Sequence, residues 1–193
     1  MSYLKEVPPD EATRETFETI RGAFGFVPNF FRAQAGRPDF VDTEVKLMGT
    51  ILMKQGALTR QQKEYLFLVT SAANVSTYCV TAHCEIVRLL GIEGPEPEQV
   101  ALDYTSTSLP GKTKALLAFA SKLNSEPTAI TAQDIENLRP FGFTDEHILE
   151  AVVIVGFAKF ANFVAFGLGA VPDFNSSLML GGPREATSAL SAL

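Results

Sequence analysis

The sequence predicts an all-α protein. Three observations carry this. Successive segments place apolar residues three or four apart, capping residues and Gly or Pro punctuate the segment ends, and no alternating pattern of any length marks a strand.

The first helix is expected over 11–24, with Phe17, Ile20 and Phe24 on one face. Asp10 stands at its N-cap after Pro8-Pro9, and Gly25-Phe26-Val27-Pro28-Asn29 breaks it. A short helix over 29–35 is stopped by Gly36-Arg37-Pro38. A long amphipathic helix from Phe40 ends near Gly56, with Val41, Val45, Met48 and Leu52 keeping the 4-3-4 step of a single face. Thr59-Arg60-Gln61-Gln62 resembles a capping box and opens the next helix, whose apolar interior 66–69 is expected to be buried. Asn74-Val75-Ser76 interrupts it, and a separate helix over 78–90 is closed by Gly91. Pro95 and Pro97 mark a loop. Helices over 113–123, 131–138 and 144–167 complete the chain. A faint repeat links Leu58-Thr59 with Phe143-Thr144, 85 residues on, and points to two similar helical units in one compact domain.

The 193 residues are read as a single domain spanning 1–193, with the chemical motif in 59–91. Such a chain buries a full core without disulfides or metals. A formal charge of −6, with no Lys/Arg run, leaves nothing to neutralise phosphates, so no nucleic-acid partner is expected. The first nine residues hold no apolar run of signal-peptide length, so the expected location is cytoplasmic and the two cysteines are expected to be reduced. Residues 151–170 are mostly apolar, but Lys159 and Asn162 fall in their middle. A Lys at mid-bilayer costs about 2.5–3.5 kcal/mol. A core or oligomer-interface helix is therefore expected there rather than a membrane span.

The chemistry concentrates in Glu64 and the run Ser76-Thr77-Tyr78-Cys79-Val80-Thr81-Ala82-His83. Cys79 and His83 are one helical turn apart and share a face. A thiol becomes a nucleophile as the thiolate, and an imidazole can take its proton. With Ser76 as N-cap, Cys79 falls in the first turn, where unpaired N–H groups and the helix dipole favour an anion; its pKa is expected below the free value of about 8.5. Glu64, fifteen residues before Cys79, reaches His83 if the two helices pack antiparallel. Taken singly, these residues are ordinary: a small buried Cys, a satisfied His, a solvated Glu. A metal site from Cys79, His83, Cys84 and Glu64 is disfavoured because Cys84 points about 140° away from Cys79 around the helix. No metal or cofactor is expected.

The string Glu64…Ser76-x-x-Cys79-x-x-x-His83, within Lys63-Glu64-Tyr65-Leu66…Ser71-Ala72-Ala73-Asn74, resembles the AhpD-like alkylhydroperoxidase branch of the carboxymuconolactone decarboxylase family, in particular its peroxidase-related enzymes. The segments Phe24-Gly25-Phe26-Val27-Pro28-Asn29 and Asn162-Phe163…Gly167-Leu168-Gly169 are similar to that group as well. The resemblance implies an all-helical, AhpD-like fold, a homo-oligomer (dimer, trimer or hexamer) and an antioxidant oxidoreductase that reduces hydroperoxides with thiols. It further implies Cys79 as the peroxidatic thiol, His83 as its base and Glu64 as the partner of His83. Ser76 stands where the family's resolving Cys belongs, and a hydroxyl forms no disulfide. Cys84 is a poor substitute, since five helical residues set the Cα atoms about 8–9 Å apart, beyond the roughly 7 Å bridging limit. The expected partners are therefore a hydroperoxide and an external thiol reductant. Two rivals stand beside this: a decarboxylase- or isomerase-like enzyme using His83 and Glu64 as acid and base, and an oligomer whose catalysis has lapsed.

Overall fold

The structure, a computed structural model, describes residues 2–5, 7, 8 and 10–174. Among these no strand occurs, and nine α-helices follow in order: α1 (Glu11–Phe24), α2 (Asn29–Arg32), α3 (Pro38–Met48), α4 (Arg60–Ala73), α5 (Thr77–Leu89), α6 (Pro97–Asp103), α7 (Gly111–Ser125), α8 (Ala132–Glu136) and α9 (Asp145–Leu168). The all-α expectation holds.

Local signals account for most boundaries. Asp10 caps α1 by accepting from the Thr13 amide, and Gly25 ends it in the left-handed conformation (φ 80°) that glycine adopts without penalty. At α4, Thr59 Oγ1 accepts from the Gln62 amide and Gln62 Oε1 accepts from the Thr59 amide, the expected capping box. At α9 the same fold-back recurs, with the Thr144 amide donating to His147 Nδ1 at 3.3 Å. The two helices of the faint repeat thus begin alike.

Three boundaries differ from expectation. The long helix ends at Met48 and passes into a π-helical turn, Gly49–Met53, where the Lys54 amide reaches back to the Gly49 carbonyl. Pro97 opens α6 rather than closing a loop, because a proline at the first helical position loses no bond. The segment 131–138 yields only the short α8 before a 3-10 turn at Arg139–Phe141.

Helix α4 is the centre of the molecule. It packs against α5, α6, α7 and α9, and every residue from Gln62 to Ser71 is buried. Its buried lysine is fully satisfied: Lys63 Nζ donates to the Ile51 and Lys54 carbonyls at 3.0 Å each and lies 3.4 Å from Glu150. Glu150 in turn accepts from the Ala57 and Leu58 amides, and its carboxylate comes so near Gly56 that a Cβ there would lie 2.0 Å from its oxygen. A second, smaller cluster of Ile20, Val27, Phe31 and Val41 joins α1, α2 and α3, and Phe30 and Met48 pack against both clusters.

Helix α9 is long and apolar enough to cross a membrane by length and composition. Its two polar mid-helix residues are used internally: Asn162 is buried, and Lys159 Nζ donates to the Asn124 carbonyl at 2.8 Å. The opposite face leaves Leu149, Val153, Phe160 and Phe163 exposed at helical spacing.

Candidate active site

The seam between the two apolar clusters holds a partly open cavity of about 100 Å³. Its floor is the start of α5. Asn74 ends α4, Val75 turns the chain in the left-handed region (φ 59°), and Ser76 is the N-cap of α5, so Cys79 is its third residue as the sequence implied. Val75 is β-branched, for which positive φ is strained. The three-residue link folds α5 back along α4, so Glu64 and His83, each roughly 10–13 Å from the turn, come level.

They meet. His83 Nδ1 lies 2.6 Å from Glu64 Oε2, and the other carboxylate oxygen, Oε1, accepts from Arg60 Nε at 2.6 Å. Glu64 is fully buried. Burial pushes its pKa up, but His83 and Arg60 outweigh that and hold it below the ordinary carboxylate range. An ionised carboxylate only accepts hydrogen bonds, so Nδ1 of His83 is the donor and Nε2 is left as the ring's second site. Phe67, one turn beyond Glu64 on α4, stacks on the imidazole with centroids 3.8 Å apart and fixes the plane of the ring.

Cys79 and His83 both line the cavity. The remaining walls are apolar, with Phe30, Phe31, Met48, Leu52, Phe67 and Phe157 among them, and Glu44 from α3 adds a carboxyl held by Gln34 at 2.9 Å. Burial pushes the Glu44 pKa up. Tyr78 closes one side. Its hydroxyl donates to Asp173 at 2.6 Å and accepts from the Phe30 amide at 3.1 Å, while Asp173 also accepts from the Asn29 amide. The segment after α9 is thereby tied to α2 and α5 at the cavity wall.

The expectation of a lowered Cys79 pKa is overturned. Burial pushes the thiol up, and the opposing pull from Ser76, Asn162 and Ser71 does not offset it. The helix start lies inside the protein, so desolvation of the anion outweighs the dipole. Cys79 therefore rests as the neutral thiol. Ser76 is buried and makes no capping bond. Cys84 is also free and buried, and burial with Glu98 nearby pushes its pKa up to about 12. Helix α5 runs unbroken through both cysteines, so no local unwinding shortens their separation. Among the described residues no three His, Cys, Asp or Glu side chains converge in a metal-binding arrangement.

Sequence reasoning missed Arg60, Ser71 and Asn162 as site residues. Arg60 was accessible in principle, since it lies four residues before Glu64 on one helix face. Asn162 carried a weaker signal, an amide inside an otherwise apolar helix, where a buried polar group must find partners.

No family model and no curated protein matches this sequence. Solved structures do. A peroxidase-related protein with an alkylhydroperoxidase AhpD core, from Ralstonia eutropha JMP134, superposes with a TM-score of 0.82 at 31% identity, covering 93% of this chain and 95% of that one. The chain belongs to the AhpD-like family. A second peroxidase-related protein, from Silicibacter sp. TM1040, gives a TM-score of 0.82 at 25% identity over 92% of this chain and 94% of that one. The AhpD-like fold is shared more widely. A debrominase, crystallised as a cysteine-to-alanine variant with 2,3,4-tribromopyrrole, matches with a TM-score of 0.73 at 18% identity over 90% of this chain and 94% of that one.

Proposed function

We propose that the protein reduces alkyl hydroperoxides through Cys79, with an external thiol as reductant. The observation that carries this is the Arg60–Glu64–His83 relay ending in the same apolar cavity as Cys79. The sulfur attacks one peroxide oxygen. An S–O bond forms and the O–O bond breaks, so Cys79 is oxidised by two electrons and the peroxide is reduced to the alcohol. The thiol proton passes through His83 to the departing alkoxide. One external thiol then condenses with the sulfenic acid, releasing water and leaving a mixed disulfide, and a second thiol frees Cys79. Ser76 cannot take the first of these roles.

The test is consumption of cumene hydroperoxide with a dithiol reductant, in wild type against Cys79→Ser. Equal rates in the two contradict the proposal. The upward push of burial on the Cys79 thiol favours a second reading, in which His83 and Glu64 act alone as base and partner on a carbon acid. In that case Cys79→Ala keeps full activity on the substrate. A homo-oligomer is part of the proposal and rests on the exposed apolar face of α9. A monomeric mass at micromolar concentration contradicts it.

A further inference from the structure

We propose that Ser76, Ser71 and Asn162 form a hydrogen-bond donor cage for the anionic forms of Cys79, first the thiolate and then the sulfenate, so that the oxidised sulfur persists until an outside thiol reaches it. The inference rests on the hydroperoxide reading for the source of the oxygen.

Ser76 is the key residue. It occupies the N-cap of a thirteen-residue helix, yet its side chain caps nothing. It is 1% exposed, and its hydroxyl has no partner at hydrogen-bonding geometry. A buried hydroxyl without a partner is costly and calls for an explanation. The N-cap stands one turn before Cys79 on the same helix, and the Ser76 hydroxyl acts in favour of the charged form of that thiol. A neutral thiol is a weak acceptor and leaves the hydroxyl unsatisfied; a thiolate or a sulfenate oxygen is a strong one.

Ser71 and Asn162 supply the other side of the cage. Asn162 Nδ2 donates to Ser71 Oγ at 2.9 Å, which leaves the Ser71 proton to be given to another acceptor. Ser71 is fully buried and acts on Cys79 in the same sense as Ser76. The amide orientation of Asn162 is fixed from behind. Its Oδ1 accepts from Asn74 Nδ2 at 2.9 Å, and Asn74 and Asn124 exchange a reciprocal pair at 3.2 and 2.9 Å. The Asn124 carbonyl is held in turn by Lys159. Helices α4, α7 and α9 thus pin Ser71 and Asn162 before any charge forms, which is the condition under which such donors act most strongly on a developing anion. The titratable groups around the sulfur are Tyr78 and His83 on α5, Glu44 on the cavity wall from α3, and Glu64 behind His83.

Oxidation follows the balance given above: sulfur gains the oxygen, the alcohol leaves with the proton, and Cys79 remains as sulfenic acid or sulfenate. A cysteine at position 76 attacks that sulfur; a serine donates to its oxygen instead. Serine at position 76 cannot resolve the sulfenic acid, and its hydroxyl is a group that holds the unresolved state.

The experiment uses the full chain as wild type, Ser76→Ala and Ser76→Cys. Each is given one equivalent of cumene hydroperoxide, then dimedone after increasing delays, and the Cys79 pKa is read from thiolate ultraviolet absorbance. The wild type is expected to give an adduct at Cys79 after long delays. In Ser76→Ala the trappable fraction is expected to decay several-fold faster, and the thiol pKa to rise by about one pH unit, the value of one hydrogen bond to a charged group. The melting temperature of Ser76→Ala is expected to be unchanged or higher, since no capping bond is lost; a purely structural role predicts a fall. Ser76→Cys is expected to form a disulfide with Cys79 and give no adduct. If Ser76→Ala does not fold, Ser71→Ala carries the same expectations. Unchanged lifetime and unchanged pKa in the alanine variant overturn the cage while leaving the hydroperoxide reading intact. A raised pKa together with a wild type that forms no adduct overturns the hydroperoxide reading and leaves the cage as a thiolate site.

Discussion

Two thiols sit five residues apart on α5, both buried, and their surroundings oppose each other. Around Cys79 in the first turn stand hydroxyl and amide donors, a histidine one turn on and an apolar cavity. Around Cys84 stand Glu98 and Glu85, with Arg88 already paired to Glu98. Burial pushes both thiols up, but only Cys79 has neighbours that pull back without carrying charge of their own. The difference teaches that a helix start does not by itself make a reactive thiol. What matters is whether the groups facing the sulfur reward a negative charge when the reaction creates one.

The largest break in this comparison is the exchange of the two thiols' roles by substitution. Cys79→Ser is expected to reduce thiol-dependent peroxide consumption to background, whereas Cys84→Ser stays near wild type, read in one coupled assay. Next is the relay. Glu64→Gln removes the ionised acceptor that sets the His83 tautomer, and turnover is expected to fall by about 10²–10⁴-fold, the range for losing positioned acid–base catalysis. The circular dichroism of the helices checks that the variant is folded.

A third expectation concerns alkaline stability. The Cys84 thiol rises from 9.0 to about 12 on folding, so the folded chain holds its proton where the unfolded chain has lost it. A raised thiol pKa favours the native state below the unfolded value, and that stability is lost as pH climbs from about 9 towards 12. The melting temperature is therefore expected to fall over this interval, and Cys84→Ala to flatten the fall. The smallest expected effect is at Arg60. Its side chain is one-third exposed, so its ion pair with Glu64 is partly screened. Arg60→Gln is expected to lower turnover by no more than about tenfold, equivalent to roughly 1.4 kcal/mol, with the acid limb of the pH–rate profile moving upward as Glu64 becomes easier to protonate.

The legible parts of the molecule were those set by neighbours in sequence. Asp10, Gly25 and the Thr59–Gln62 pair state their helix ends within four residues, and the ends lie where they say. The Cys79–His83 spacing placed both on one helix face, and the break at Asn74–Ser76 brought Glu64 level with His83. Pro97 was misread because proline signals both a loop and a helix start, and only the following turn decides. The sign of the Cys79 shift was misread because burial is a property of the packed molecule: the first turn of α5 is enclosed by α4, α9 and the α1–α3 cluster. The donors Ser71 and Asn162 lie on α4 and α9, 91 residues apart, and no local pattern joins them.

The central claim is that Cys79, and not Cys84, is the sulfur that peroxide oxidises. Treating the full chain with one equivalent of cumene hydroperoxide in the presence of dimedone, followed by peptide mass mapping, tests it most directly. The account predicts one adduct, on the peptide carrying Cys79, with the two cysteines resolved by sequencing fragments between residues 79 and 84. An adduct at Cys84 alone, or unmodified thiols beside unconsumed peroxide, contradicts it.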